Sequence, residues 1–266
     1  MGSTRHARSA LVCLAAAAAL ACGGCVQPVS PEAKQLLADG KAAYDDGDDE
    51  AAIAKTGAFL AEHSKTNLAD VAYYVRGLAR LRAKQTSGAK TDLQMAAATT
   101  DKPSVRLGAS KALGDLVFDS GDAEYAEKLY RQALADAQPR TPPADEIRYR
   151  LGCTLQRRGR WSEADEQFDH VVHVFQGSEV ARRAERRLRC VAWTVQAGAF
   201  DTKALADAEV ARLHREKIEA VTRATTDGGK LRFVVQVGRH ETHAAAARTL
   251  PIVRRASRDA LVTVTR

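Results

Sequence analysis

Apolar residues along this chain follow two different spacings, a helical one over most of its length and an alternating one near the C-terminal end. Tyr149-Arg150-Leu151-Gly152-Cys153-Thr154-Leu155 reads as one helix and Arg158-Gly159-Arg160 as a polar turn. Ala164, Phe168 and Val171 then form the apolar face of a second helix. The unit is repeated. Gly40, Gly77, Gly114 and Gly152 recur every 37 or 38 residues, and Ala52, Ala89, Ala126 and Ala164 each follow twelve residues behind. A period in that range with small residues fixed at two positions predicts stacked pairs of antiparallel helices that touch where side chains are smallest.

These positions resemble the tetratricopeptide repeat. The small position of its first helix falls on Gly152, its turn glycine on Gly159, its second small residue on Ala164 and its aromatic on Phe168. Gly114, Gly121, Ala126, Tyr130 and Ala133 match in the preceding unit. The first unit has Gly40, Gly47, Ala52 and Phe59 but Thr56 at the aromatic position; the second has Gly77, Ala89, Leu93 and Ala96, with Lys84 in place of the turn glycine. A fifth, partial unit from Val180 to Ala224, with a long polar helix from Thr202 to Ala224, is expected to cap the stack, so the array is expected over residues 33–226. The resemblance implies a right-handed superhelix whose concave groove holds a protein or peptide partner, without catalysis.

The alternating stretch follows the turn signal at Asp227-Gly228-Gly229. Leu231 to Gly238 is expected as a strand, Thr242 to Leu250 as a helix capped by Thr242, and Leu261 to Thr265 as a second strand. Phe233-Val234-Val235-Gln236-Val237-Gly238 followed by Ala244 to Leu250 resembles the opening of a SPOR domain, a bacterial module that binds peptidoglycan glycan strands stripped of their stem peptides. The family's aromatic after the glycine is replaced by Arg239 and His240. Only one strand-helix-strand half is expected, over residues 227–266, and a lone two-stranded sheet is marginal in water. A homodimer supplying one half per chain would complete it. Phe233, Val235, Val237, Val262 and Val264 are expected under the helix, with Arg232, Gln236, Thr263 and Thr265 on the open face. By the resemblance, Gln236, Arg232, Arg239, Thr263 and Thr265 are the glycan-binding candidates. The fold expected is therefore mainly α, a tetratricopeptide-type helical-hairpin superhelix followed by a small α+β unit, a SPOR-like half.

At the other end, Arg5, His6 and Arg8 precede an uncharged run from Ser9 to Leu20, which suits the core of a secretory signal. Ala19-Leu20-Ala21-Cys22-Gly23-Gly24-Cys25 resembles the lipobox of bacterial lipoproteins. The resemblance implies a signal peptide over residues 1–21 and lipid attachment at Cys22, with Cys25 the alternative. Residues 22–32, with Pro28 and Pro31, read as a short stiff tether. The expected location is the bacterial cell envelope, lipid-anchored and facing the periplasm, with the outer membrane favoured because no aspartate follows the lipid cysteine. Cys153 and Cys190 are expected in helices one repeat apart, which leaves a bridge between them open.

Charge is unevenly distributed. From Cys22 to Ala137 there are 14 Lys and Arg against 17 Asp and Glu; from Gln138 to Arg266 there are 24 against 16, so the C-terminal half carries the positive end of a dipole. Arg182, Arg183, Arg186, Arg187 and Arg189 concentrate it, with Arg182, Arg186 and Arg189 expected on one helix face. Nucleic acid is not an expected partner, since an exported chain without aromatics among its basic residues lacks stacking platforms. His170 and His173, and His240-Glu241-Thr242-His243, lack a third ligand at metal-site spacing. No cofactor, metal or catalytic residue is expected. Two functions fit: a non-catalytic membrane-anchored adaptor that binds peptidoglycan and protein partners in wall or division processes, or a scaffold lipoprotein of the outer-membrane assembly type that dimerises through its C-terminal unit.

Overall fold

The computed structural model describes residues 29–227 and 229–266. Cys22, Cys25, the expected signal peptide and most of the expected tether lie outside the described residues.

Four helical hairpins follow one another: α1 (Pro31–Asp45) with α2 (Asp49–His63), α3 (Ala69–Arg82) with α4 (Thr86–Thr99), α5 (Pro103–Ser120) with α6 (Ala123–Asp136), and α7 (Ala144–Arg157) with α8 (Trp161–Val174). A short α9 (Glu179–Arg187) closes the array. Helix α1 begins earlier than the tether reading allowed: Pro31 opens it, the Ser30 hydroxyl caps Ala33 N–H at 3.2 Å, and Val29 is already buried.

The repeated glycines do what their spacing implied. A Cβ on Gly40 would lie 2.9 Å from the Thr56 methyl, on Gly77 2.9 Å from Leu93, on Gly114 2.9 Å from the Tyr130 ring and on Gly152 2.6 Å from the Phe168 ring. Each first helix therefore presents bare backbone to one side chain of the second, a large one in all but the first hairpin. Ala52, Ala89, Ala126 and Ala164 are fully buried, and one core runs from Leu93 to Ala184 across the later repeats.

The turn glycines Gly47, Gly121 and Gly159 sit at φ of +88°, +95° and +79°, the left-handed region. Lys84, in the second hairpin, takes the same conformation at +59°. A side chain there costs about 1 kcal/mol, so Lys84→Gly is expected to stabilise the protein by about that amount, read as a rise in urea midpoint at constant m-value. An unchanged or lower midpoint would mean that Lys84 makes a compensating contact.

Buried ion pairs clip the hairpins. Asp92 on α4 accepts from Arg76 and Arg80 on α3 at 2.7–2.8 Å, and Asp70 on α3 accepts from Lys102 at 2.8 Å. Arg106 pairs with Asp136 at 2.7 Å, and Glu127 on α6 gathers Arg131, Arg158 and Arg160.

The chain then departs from the expected fifth repeat. After α9 come β1 (Ala192–Phe200), α10 (Lys203–Arg215), β2 (Ala220–Asp227), β3 (Lys230–His240), α11 (His243–Ala256) and β4 (Leu261–Thr265). The four strands form one antiparallel sheet in the order β2-β3-β1-β4. The C-terminal unit thus starts near residue 192 rather than 227, and the helix expected from Thr202 to Ala224 ends at Arg215. It is two strand-helix-strand halves, not one. The strands of each half are separated by a strand of the other. One chain supplies both halves, so completing this sheet requires no second copy.

The reason is burial. Trp193, Val195 and Ala197 on β1 are buried, and α10 and α11 cover one face of the sheet with Ala206, Leu213 and Val253 over Val195, Val235 and Val237. Phe233 and Val262 join that side, as expected. Residue 188 leaves the helix in an extended conformation, so Arg189 is not on the face of Arg182 and Arg186, and Cys190 is not helical. Cys153 and Cys190 are both free thiols.

Array and sheet are docked. The Trp193 indole donates to the Gln156 carbonyl at 2.7 Å, and Gln156, fully buried, donates to the Arg187 carbonyl at 3.0 Å and accepts from its guanidinium at 2.8 Å. Arg189 N–H donates to Asp165 at 3.0 Å.

Candidate functional site

The face of the sheet away from α10 and α11 forms a groove of about 890 Å³. Its floor follows from the period-two pattern: with Val235 and Val237 turned to the helices, Arg232, Val234 and Gln236 of β3 turn the other way. Gln236 sits mid-sheet, directly opposite Gln196 of β1 and Val221 of β2. Its side-chain carbonyl accepts from the Thr265 hydroxyl at 3.2 Å, which fixes the amide. Thr263 lies beside Thr194 in the neighbouring strand. The Thr194 hydroxyl is spent on the Val237 and Gly238 carbonyls, whereas Thr263 is half-buried and faces the groove.

Four of the five glycan candidates, Arg232, Gln236, Thr263 and Thr265, are therefore brought together in one groove. Arg239 is not among its lining residues; its guanidinium donates to the Arg266 carbonyl at 3.1 Å. Sequence reasoning missed Gln196 and Arg223 of the first half, Arg186 at the end of the array, and Arg266. Arginines 186, 223, 232 and 266 line the groove, and among the described residues no Asp or Glu side chain does. The surface is a cationic trough with amides and hydroxyls at its centre, suited to carboxylates flanked by hydroxyls. Arg232 reaches Asp201 at 3.2 Å, while Arg186 comes no closer than 4.0 Å to Glu179. Burial raises the pKa of the Cys190 thiol at the edge of the groove, which keeps it protonated and unreactive.

The signal that would have revealed the first half is an internal duplication. Val195-Gln196-Ala197-Gly198-Ala199-Phe200-Asp201-Thr202 and Val235-Gln236-Val237-Gly238-Arg239-His240-Glu241-Thr242 match at a constant offset of forty residues. Both threonines cap the following helix, Thr202 at Leu205 N–H and Thr242 at Ala245 N–H. The aromatic expected after the glycine is present in the first half as Phe200, which packs into the core and covers Gly198.

Residues 191–263 match the family profile of the SPOR domain. The C-terminal unit is a SPOR domain. The array is similar in fold to a tetratricopeptide repeat protein from Parabacteroides merdae, with 18% sequence identity, a TM-score of 0.51 and 59% of each chain covered. It is also similar to the crystal structure of MamA, with 22% identity, a TM-score of 0.46, and 57% of this chain and 81% of that one covered. No curated protein matches the chain. In broad terms the chain joins an array with the fold of tetratricopeptide repeats to a SPOR domain, a kind of module that binds peptidoglycan.

The array offers its own groove of about 500 Å³, where Tyr74, Leu78, Leu81, Leu107 and Leu116 of α3 and α5 meet Lys111 and Asp115. Three of the four histidines in the two pairs have structural partners, while the buried Nε2 of His170 has none among the described residues. His173 lies 3.3 Å from Asp169, His240 contacts the Thr249 hydroxyl, and His243 stacks edge-on against Trp193 at 4.8 Å.

Proposed function

We propose that this protein is a non-catalytic envelope adaptor whose SPOR domain binds peptidoglycan glycan strands along the open sheet face while its array holds a protein of the wall-remodelling or division machinery. The carrying observation is the groove itself: four arginines around a floor of Gln196, Gln236, Thr263 and Thr265. A glycan strand without stem peptides presents a free carboxylate on alternate sugars among many hydroxyls. Arginines read the carboxylates, and amides and threonines read the hydroxyls. Acylation at Cys22, or at Cys25, would hold the protein on the periplasmic side of an envelope membrane, the outer one favoured. The candidate glycan contacts are then Gln236, Arg232, Thr263 and Thr265, joined by Gln196 and Arg223, with Arg239 at the margin.

The test is sedimentation with purified sacculi, intact and amidase-treated. The wild-type chain is expected to pellet, more strongly with amidase-treated wall. Arg223→Glu/Arg232→Glu is expected to weaken binding at least tenfold, about 1.4 kcal/mol or more, without changing the urea midpoint by an equivalent amount. Undiminished binding by that double variant would exclude the open face as the glycan site.

A further inference from the structure

Between the array and the SPOR domain lies a third, smaller cavity of about 230 Å³, separate from both grooves. Arg150 and Arg157 of α7 and Arg183 and Arg187 of α9 line it from the array, and Trp193 of β1 and His243 of α11 line it from the SPOR domain. The guanidiniums lie against aromatic rings: Arg157 is 3.4 Å from the Phe118 centroid, Arg183 4.1 Å from Tyr149, and Arg187 5.9 Å from Trp193. Stacking occupies the flat face of a guanidinium and leaves its N–H edge available to an acceptor.

The charges at this cavity do not balance. Arg150 reaches Glu146 at 3.3 Å and Asp115 at 3.6 Å, and Arg183 shares Glu146 at 3.0 Å. Arg157 and Arg187 make no ion pair among the described residues; Arg157 donates to the Phe118 carbonyl and Arg187 to the Gln156 side chain. Four cations thus share two paired carboxylates, Glu146 and Asp115, and Asp119 acts on Arg157 only from beyond ion-pair distance. Burial lowers the pKa of Arg157, with Arg187 adding to the effect, and lowers that of His243, with Arg157 and Arg187 again contributing. Half-buried like charges are costly unless an anion joins them.

We propose that this junction cavity binds a compact oxyanion, a phosphate or a carboxylate group, held by Arg157 and Arg187 beneath Trp193 and His243. At about 30 Å³ per water, the space admits such a group with a few waters. A nucleotide or a folded partner would not fit. Because its walls belong to both units, an occupant ties array to SPOR domain and stabilises the docked arrangement by mass action.

The experiment uses the full chain, titrated with orthophosphate, succinate and sodium chloride at matched ionic strength. Fluorescence reports the site directly, since the two tryptophans, Trp161 and Trp193, lie 6.2 Å apart at the junction. A saturable fluorescence change with a rise in Tm is expected from phosphate or succinate and not from chloride. The stronger of the two identifies a phosphoryl or a carboxylate ligand. Arg187→Gln is expected to weaken binding at least tenfold, Arg157→Lys less so, and Arg182→Gln on the exposed side of α9 not at all. A chloride response equal to the others in wild type overturns the proposal without recourse to any variant. So does undiminished affinity in both Arg187→Gln and Arg157→Lys.

Discussion

Asp92→Ala is expected to lower the unfolding free energy by about 3 kcal/mol, the low end of what breaking a buried ion pair costs. The Asp92 side chain is 2% exposed and accepts three charge-assisted hydrogen bonds, two from Arg76 and one from Arg80. Removing it strands two guanidiniums whose side chains are only 16% and 24% exposed. Both can swing partly towards water, which places the cost at the low end. Asp92→Asn keeps the shape and loses the charge, so it is expected to cost about half as much. The measurement is urea unfolding, and because the pair is buried the loss should persist in 1 M salt. A shift under 1 kcal/mol for Asp92→Ala would mean that the α3–α4 hairpin is held by packing alone. This is the hairpin where Lys84 occupies the left-handed turn and the sequence match is weakest. The Arg76–Asp92–Arg80 cluster offsets what its turn lacks.

Phe168→Ala is expected to cost about 4 kcal/mol, the middle of the range for buried aromatic truncation. The ring is fully buried, stands 5.9 Å from Tyr149 and lies against the bare backbone of Gly152. Backbone cannot relax into the space as a side chain would, so the cavity persists. The complementary change, Gly152→Ala, places a Cβ 2.6 Å from that ring. Overpacking of this kind costs about 1–3 kcal/mol, and the better helix propensity of alanine returns up to about 1. Combining Gly152→Ala with Phe168→Leu should therefore cost less than the sum of the two single changes. Repeats are stabilised by their neighbours, so hydrogen exchange in Phe168→Ala is expected to quicken first in α7, α8 and α9, with the SPOR core protected longer. Uniform loss of protection would instead indicate that array and sheet unfold as one unit.

The array was legible because its constraint is local and repeated. A glycine facing a large residue, an alanine twelve positions on and a turn glycine are all fixed by the contact of two consecutive helices. Their spacing therefore survives in the sequence even where Thr56 or Lys84 departs from the pattern. The second half of the SPOR domain was legible too, since Phe233, Val235 and Val237 alternate plainly. Its first half was obscured by neighbours. The repeat period invited a fifth hairpin, and Ala197, Gly198 and Ala199 on β1 are too small to announce a strand. The forty-residue duplication from Val195 to Thr202 and from Val235 to Thr242 was present throughout. Only four of its eight paired positions are identical, so it is a weaker signal than the helical period.

The sequence by itself determined the helical array, the strand-helix-strand motif, the polar character of the open sheet face and four of the residues that line its groove. These are consequences of periodicity, since each depends on which side of one element a residue occupies. Tertiary structure alone decided that the two halves close within one chain. It also decided that Arg186 of the array and Arg223 of β2 complete the groove, and that Arg157 and Arg187 converge under Trp193 at the junction. The residues of these sites come from elements far apart along the chain, and their meeting is set by how α9 hands over to β1. No spacing along one helix or strand records that geometry, because the contacts that fix it join distant elements: Trp193 of β1 to Gln156 of α7 across the two units, and Arg187 of α9 to Gln156 within the array.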